Sequence, residues 1–248
     1  MDLGIAGRKA IVCASSRGLG RACAEALAAE GCEVVMNARG AEALAEAAAA
    51  IRAATGARVT EVPGDVADPA IQAALLAACP QPDILVNNNG GPPRSDFRRL
   101  DRAAMLKGVV GNMVTPIELI QQVIDGMVAR RFGRIVNITS GSVKSPLPGL
   151  DLSSGARAGL TAFLAGVARD VAKHNVTINN ILPGAFATSR LRELGSNAIS
   201  ERAATVPAGR VGEPEELGRL CAYICSAHTG YITGQNFLID GGSFPGAF

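Results

Sequence analysis

The chain has 248 residues, 48% of them apolar and 19% charged, with a formal net charge of +2. That length suits one large α/β domain with a filled core, and the apolar share argues against disorder. The balanced charge argues against a nucleic-acid footprint, and no run of about 18 uncharged apolar residues is present, so no membrane span is expected.

The opening MDLGIAGRKAIV lacks the basic start and apolar run of a signal peptide. Six cysteines stand at positions 13, 23, 32, 79, 221 and 225, none in a Cys-x-x-Cys pair. Cys221 and Cys225 are one helical turn apart, a spacing that can hold a metal, but two small buried thiols on one helix face are the simpler reading. A reduced, cytoplasmic protein follows.

In chain order, KAIVCA (9–14) reads as a strand and GLGRACAEALAAEG (18–31) as a helix. CEVVMNA (32–38) is a second strand, followed by the alanine-rich helix 41–55. RVTEVPGDV (58–66), DILVNNN (83–89), GRIVNIT (133–139), VTINNIL (176–182) and NFLID (236–240) supply further strands. Runs rich in Val and Ile without polar alternation imply strands covered on both faces. Strands alternating with helices then give a single-domain α/β protein over 1–248, a Rossmann-type doubly wound fold with about seven parallel strands flanked by helices. The irregular stretch 185–206 is a candidate lid.

CASSRGLG (13–20) lies between the first strand and the first helix. Gly18 and Gly20 allow a pyrophosphate close to the backbone, and the helix N-terminus offers free N–H groups and partial positive charge. Ser15, Ser16, Arg17, Gly18, Leu19 and Gly20 are therefore candidate phosphate contacts. Ala14 stands where a tight turn usually needs glycine, which predicts altered geometry and retained binding. At the end of the second strand, Asn37, Ala38 and Arg39 provide no carboxylate for a ribose. Arg39 can pair with a 2′-phosphate, with Arg17 as a second partner, so NADP is favoured over NAD.

These motifs identify the chain as resembling the short-chain dehydrogenase/reductase family over essentially its whole length. Beyond the glycine loop, GDV resembles the element that contacts adenine, here Asp65 and Val66. NNNG (87–90) resembles the family's Asn-Asn-Ala-Gly element, with Asn89 in place of alanine and with Asn88 and Gly90 facing the cofactor. NNILPGAFAT (179–188) resembles the Pro-Gly turn beside the nicotinamide, which implies Pro183, Gly184 and Thr188 as contacts. GRVGEPEELG and YITGQNFLIDGG resemble the C-terminal elements. The best-known similar members, 3-oxoacyl-carrier-protein reductases, are usually homotetramers, which implies the same here.

The family's catalytic set is Asn, Ser, Tyr and Lys. The resemblance aligns Asn112 and Ser140 with the first two. Thirteen residues after Ser140 the tyrosine position is Ser153, and four further the lysine position is Arg157. The only tyrosines, Tyr223 and Tyr231, lie in the C-terminal elements and are read as structural. A phenol with a pKa of ~10 can be tuned toward neutrality by a cation, whereas an aliphatic hydroxyl cannot. Ser153 can hold a water or donate a hydrogen bond to developing negative charge. Arg157, on the same helix face, can grip ribose hydroxyls but releases no proton. Lys144, four residues after Ser140, is an alternative acid. GGPPRSDF (90–97) stiffens a loop over the strand ends and resembles a reductase-like subgroup that carries GGPPP and lacks the tyrosine. Arg190, Arg192 and Arg202 in the lid, with Glu193 and Glu201, are candidates to meet an anionic substrate such as a thioester. Two functions follow: an NADP-dependent oxidoreductase for a small carbonyl or alcohol with altered proton delivery, or a catalytically silent NADP(H)-binding protein.

Overall fold

The apolar runs become seven strands, the inner ones buried on both faces and the edge strands at 59–63 and 236–239 partly exposed. In the computed structural model, which describes residues 1–193 and 195–246, the strands are β1 (Lys9–Val12), β2 (Glu33–Ala38), β3 (Val59–Pro63), β4 (Ile84–Asn87), β5 (Gly133–Ile138), β6 (Val176–Pro183) and β7 (Asn236–Ile239). All pair in parallel in the order β3-β2-β1-β4-β5-β6-β7. Alternate residues serve opposite layers. Ala10, Val12, Val34, Met36, Ile84 and Val86 face one layer, while Ile11, Val35, Leu85 and Ile135 face the other.

The helices are α1 (Gly18–Ala29), α2 (Ala41–Thr55), α3 (Pro69–Ala78), α4 (Arg102–Val109), α5 (Thr115–Arg130), α6 (Asp151–Val171), α7 (Ser189–Arg192), α8 (Ala198–Ala203) and α9 (Pro214–Ile224). The first layer contains α1, α2 and α9, and the second α3, α5 and α6. Caps written in the sequence set several starts: Asp68 accepts from the Ala70 amide before Pro69, and Asp101 accepts from the Ala104 amide. Glu213 and Glu216 form a reciprocal capping box ahead of Pro214.

Sheet order reverses between β1 and β4. Cofactor clefts in open α/β sheets lie at such a switch point, beyond the strand C-termini. The strands stop earlier than the apolar runs suggest: β4 ends at Asn87, which frees Asn88 and Asn89 to turn into the cleft. The helical run Arg102–Arg130 is long and apolar enough to cross a membrane by length and composition. Its apolar residues Leu119, Ile120, Val123 and Met127 are buried in the second core layer, the position of a core helix.

Candidate functional site at the strand ends

The glycine loop closes as the sequence suggests, with one difference. Ala14 adopts φ 46°, the left-handed region that glycine favours, at the cost of backbone strain. The Ala14 carbonyl accepts from Asn88 Nδ2 at 3.3 Å, tying the loop after β1 to the loop after β4. A Cβ on Gly20 would lie 2.7 Å from that same Asn88 nitrogen, so no larger residue fits. Ser15 is fully buried and its hydroxyl donates to the Val12 carbonyl at 2.9 Å. Helix α1 has no side-chain cap at Arg17, which leaves its first amides for an anion.

Arg17 is paired in this structure: its Nη1 donates to Glu193, the C-cap of α7, at 3.1 Å, which ties the glycine loop to the segment after β6. Arg39 is exposed and forms no ion pair among the described residues. Asn37 is buried, its amide donating to the carbonyls of Val62 and Gly64, so it props the end of β3. Asp65 lies exposed beside it, accepting from the Ala67 amide at 3.0 Å, and Val66 is buried below. These groups fit a dinucleotide bearing a 2′-phosphate: uncapped helix amides, a glycine approach and one unpaired guanidinium.

The candidate catalytic residues are organised by α6. Ser153 and Arg157 are 8% and 7% exposed on the same face of α6. Arg157 Nη1 donates to the Ile138 carbonyl at 2.8 Å and Nη2 to the Asn89 carbonyl at 2.9 Å, while Nε reaches Ser153 Oγ at 3.4 Å. A guanidinium has five N–H groups, so two remain uncommitted. Ser153 accepts from the cation, and its own hydrogen is not committed to any described acceptor. Burial and the like charge of Arg190 push the Arg157 guanidinium down to about 10, which leaves it charged at neutral pH.

Asn112 sits in a single π-turn, Val110–Val114, between α4 and α5. The cause is legible: Pro116 has no N–H to give the Asn112 carbonyl, so the α-helical ladder breaks there. Asn89 Nδ2 donates to the Gly111 carbonyl at 2.8 Å and fixes the turn against the β4 loop. Asn112 Oδ1 and Asn87 Oδ1 are buried without a donor, and both residues line the same small cavity as Arg157. Ser140 Oγ accepts from the Ser142 amide at 3.1 Å at the end of β5. Lys144 lies over the Phe244 ring, 5.4 Å from its centroid, and makes no hydrogen bond to Ser153 or Arg157 among the described residues. Pro183 and Gly184 form the turn after β6; a Cβ on Gly184 would strike Asp240 at 2.6 Å. Thr188 rests its methyl 3.5 Å from the Cβ position of Gly18. Gly90 follows Asn89 with open space at its Cβ position. Ser16 and Leu19 are half-buried in the loop. Arg192 and Arg202 are in the last turns of α7 and α8. Tyr223 and Tyr231 are 42% and 103% exposed, at the surface of α9 and of the turn before β7, so neither has a core role.

One feature the sequence reading missed is an asparagine ladder. Asn87 donates to Asn137 at 3.0 Å, Asn137 to Asn180 at 3.1 Å, and Asn180 to Asn236 at 2.9 Å. The four occupy matched register on β4 to β7 and tie these strands together side by side. An asparagine within each of these four runs is the signal that marks it. The cysteines are buried thiols, as expected; burial pushes Cys13 up to about 12.

A reversed parallel sheet with a phosphate loop and a serine–arginine site at its switch point defines a doubly wound protein of the dinucleotide-binding class. The family described as enoyl-(acyl carrier protein) reductase matches residues 13–243. The chain is 33% identical to the 3-oxoacyl-[acyl-carrier-protein] reductase FabG of Escherichia coli over 244 residues, 96% of this chain and 98% of that one. It is 36% identical to the acetoacetyl-CoA reductase of Cupriavidus necator over 164 residues, 66% and 67% of the two chains. The chain belongs to the short-chain dehydrogenase/reductase family. Among solved structures, the L-sorbose reductase of Gluconobacter frateurii complexed with NADPH and L-sorbose superimposes with a TM-score of 0.93 at 30% identity, covering 99% of this chain and all of that one. YwfH, an NADPH-dependent reductase involved in bacilysin biosynthesis, gives 0.92 at 29% identity, covering 97% and 100%.

Proposed function

We propose that the chain, as one domain over 1–248 with 185–206 as its lid, is an NADP-dependent oxidoreductase for carbonyl and alcohol groups whose proton delivery differs from that of its relatives. The relatives' printed activities and NADPH-bound neighbours support the cofactor and the reaction class. The observation that carries the altered site is the pair Ser153–Arg157, buried side by side at the switch point where a phenol and an amine are expected. NADPH, when bound, supplies the hydride. Arg39 would hold the adenosine phosphate, Ser16, Gly18, Leu19 and Gly20 the pyrophosphate, Asp65 and Val66 adenine, and Asn88, Gly90, Pro183, Gly184 and Thr188 the nicotinamide half; Ser15, fully buried with its hydroxyl on the Val12 carbonyl, supports the loop instead of touching the phosphates. Arg17 joins them once it parts from Glu193.

Ser153, accepting from the guanidinium, donates its own hydrogen to the substrate carbonyl oxygen. It stabilises negative charge there without acting as the proton source. Arg157 keeps the site positive and turns its two spare N–H groups toward ribose hydroxyls. Ser140 is a second hydroxyl for the substrate oxygen, and Asn112 holds the π-turn against the cavity. Lys144, drawn off the Phe244 ring, is the titratable cation near enough in sequence to Ser140 to supply the proton.

The test compares the natural protein with Ser153→Tyr/Arg157→Lys, using NADPH and an acetoacetyl thioester. Turnover by the natural protein supports this reading. Turnover by the double variant alone supports a silent NADP(H)-binding protein, a reading favoured by the commitment of Arg157 to two main-chain carbonyls. Assembly as a homotetramer is supported by the apolar side chains left exposed on α4 to α6: Met105 at 44%, Leu106 at 54%, Val110 at 40% and Phe163 at 48%. Sedimentation of the natural protein against Leu106→Glu/Phe163→Glu tests it.

A further inference from the structure

Three donors converge on one point of the cleft. A Cβ built on Gly91 would lie 3.1 Å from Ser153 Oγ, 3.7 Å from Arg157 Nη2 and 3.8 Å from Arg190 Nη1. Two guanidinium groups therefore come within 4 Å of the same point, and glycine at 91 is what keeps that point open. No carboxylate answers them. Neither Arg157 nor Arg190 forms an ion pair among the described residues, and the nearest acid in sequence, Glu193, is turned to Arg17 at 3.1 Å. Asp240, on the far side of the Pro183–Gly184 turn, is occupied by the Gly242 and Phe244 amides at 2.9 and 2.8 Å.

Like charges placed together repel, and the Arg157 guanidinium, lowered first by its own burial, is lowered further by the charge of Arg190. A bound anion converts the repulsion into attraction. A neutral ketone gains nothing from Arg190. The cofactor's phosphates belong to the α1 end of the cleft, at Gly18 and Arg39, whereas this cluster is centred on Ser153.

We infer that the substrate carries its own carboxylate, as an oxo acid or hydroxy acid, held by Arg190 and the charge of Arg157 while its carbonyl oxygen meets Ser153. The inference rests on the oxidoreductase reading only for the identity of the second group; the anion site stands on the arginine cluster itself. A carboxylate here sets specificity. It admits acids and leaves esters and simple ketones without a partner for the two cations, which then stay unpaired.

The test uses pyruvate, acetoacetate and levulinate, which place the carboxylate progressively further from the carbonyl, each against its methyl ester. Binding to the NADP⁺-saturated protein is measured by calorimetry, and NADPH-dependent turnover is followed in parallel. At least one acid is expected to bind about tenfold or more tightly than its ester. That gap should close in Arg190→Gln with ester binding unchanged, and largely survive in Arg190→Lys. Equal affinity of every acid and its ester, absence of acid binding, or a gap that persists in Arg190→Gln overturns the inference. So does a Arg190→Gln variant that loses NADPH affinity by the same factor, because the guanidinium then serves the cofactor. Selective acid binding without turnover keeps the anion site and removes the reductase reading, so the two fail separately.

Discussion

Replacing Ala14 with glycine should stabilise the protein, although it deletes a methyl group from the edge of the core. At φ 46° the alanine Cβ crowds the backbone, which costs roughly 1–2 kcal/mol for an L-residue. Glycine removes that strain but adds unfolded-state freedom worth roughly 0.4–1 kcal/mol. The half-buried methyl contributes less than the ~0.8 kcal/mol of a fully buried one. The hydrogen bond from Asn88 goes to the main-chain carbonyl and survives. The net gain is about 0.5 kcal/mol, or an upward shift of about 1–2 °C in melting temperature for a chain of this size. Scanning calorimetry on the natural protein, Ala14→Gly and Ala14→Val reads it. Valine, branched at Cβ, should lose about 2 kcal/mol or more. A glycine variant less stable than the natural protein by 1 kcal/mol, or a valine variant of equal stability, would refute a left-handed residue here.

Three further outcomes follow from the same structure. Lys144→Met should lower reductase turnover by at least about tenfold, and by ~10²–10⁴ if the lysine gives the full effect of a general acid; an unchanged steady-state rate removes Lys144 from the chemistry. Arg134→Met should destabilise by about 3 kcal/mol in chemical denaturation, because the fully buried guanidinium donates to the carbonyls of Ser226 and Asn175 at 2.9 Å each, and methionine removes both of these charge-assisted bonds. Glu216 is held down to about 2 by the Arg210 guanidinium and the Glu213 amide, from an ordinary 4.5. On acidification the unfolded chain takes up this proton first, so its stabilising effect is complete above pH 4.5 and is lost as pH falls toward about 2. Glu216→Gln should therefore melt lower than the natural protein at pH 5 and converge with it near pH 2.

The fold was readable because apolar runs without alternation admit only strands covered on both sides, and the loop motifs fix their order. Strand ends were less so. Asn87, Asn88 and Asn89 extend the β4 pattern in sequence, yet only Asn87 has a ladder partner. The identity of Ser153 and Arg157 was visible from the spacing, but not the partners of Arg157. Its acceptors lie 19 and 68 residues away in the chain, and no local pattern encodes them. Arg17 meets Glu193 across 176 residues for the same reason, a pairing that local sequence does not encode. The π-turn at Asn112 follows from Pro116, a local cause that a reading by helical period alone passes over.

Calorimetric titration of the purified protein with NADPH and with NADH tests the central claim most directly. NADPH is expected to bind with a micromolar Kd, about tenfold or more tighter than NADH, with that margin lost in Arg39→Ala. Failure to bind either nucleotide, or equal binding of both, would contradict an NADP site built from the loop at Ala14–Gly20 and the unpaired Arg39.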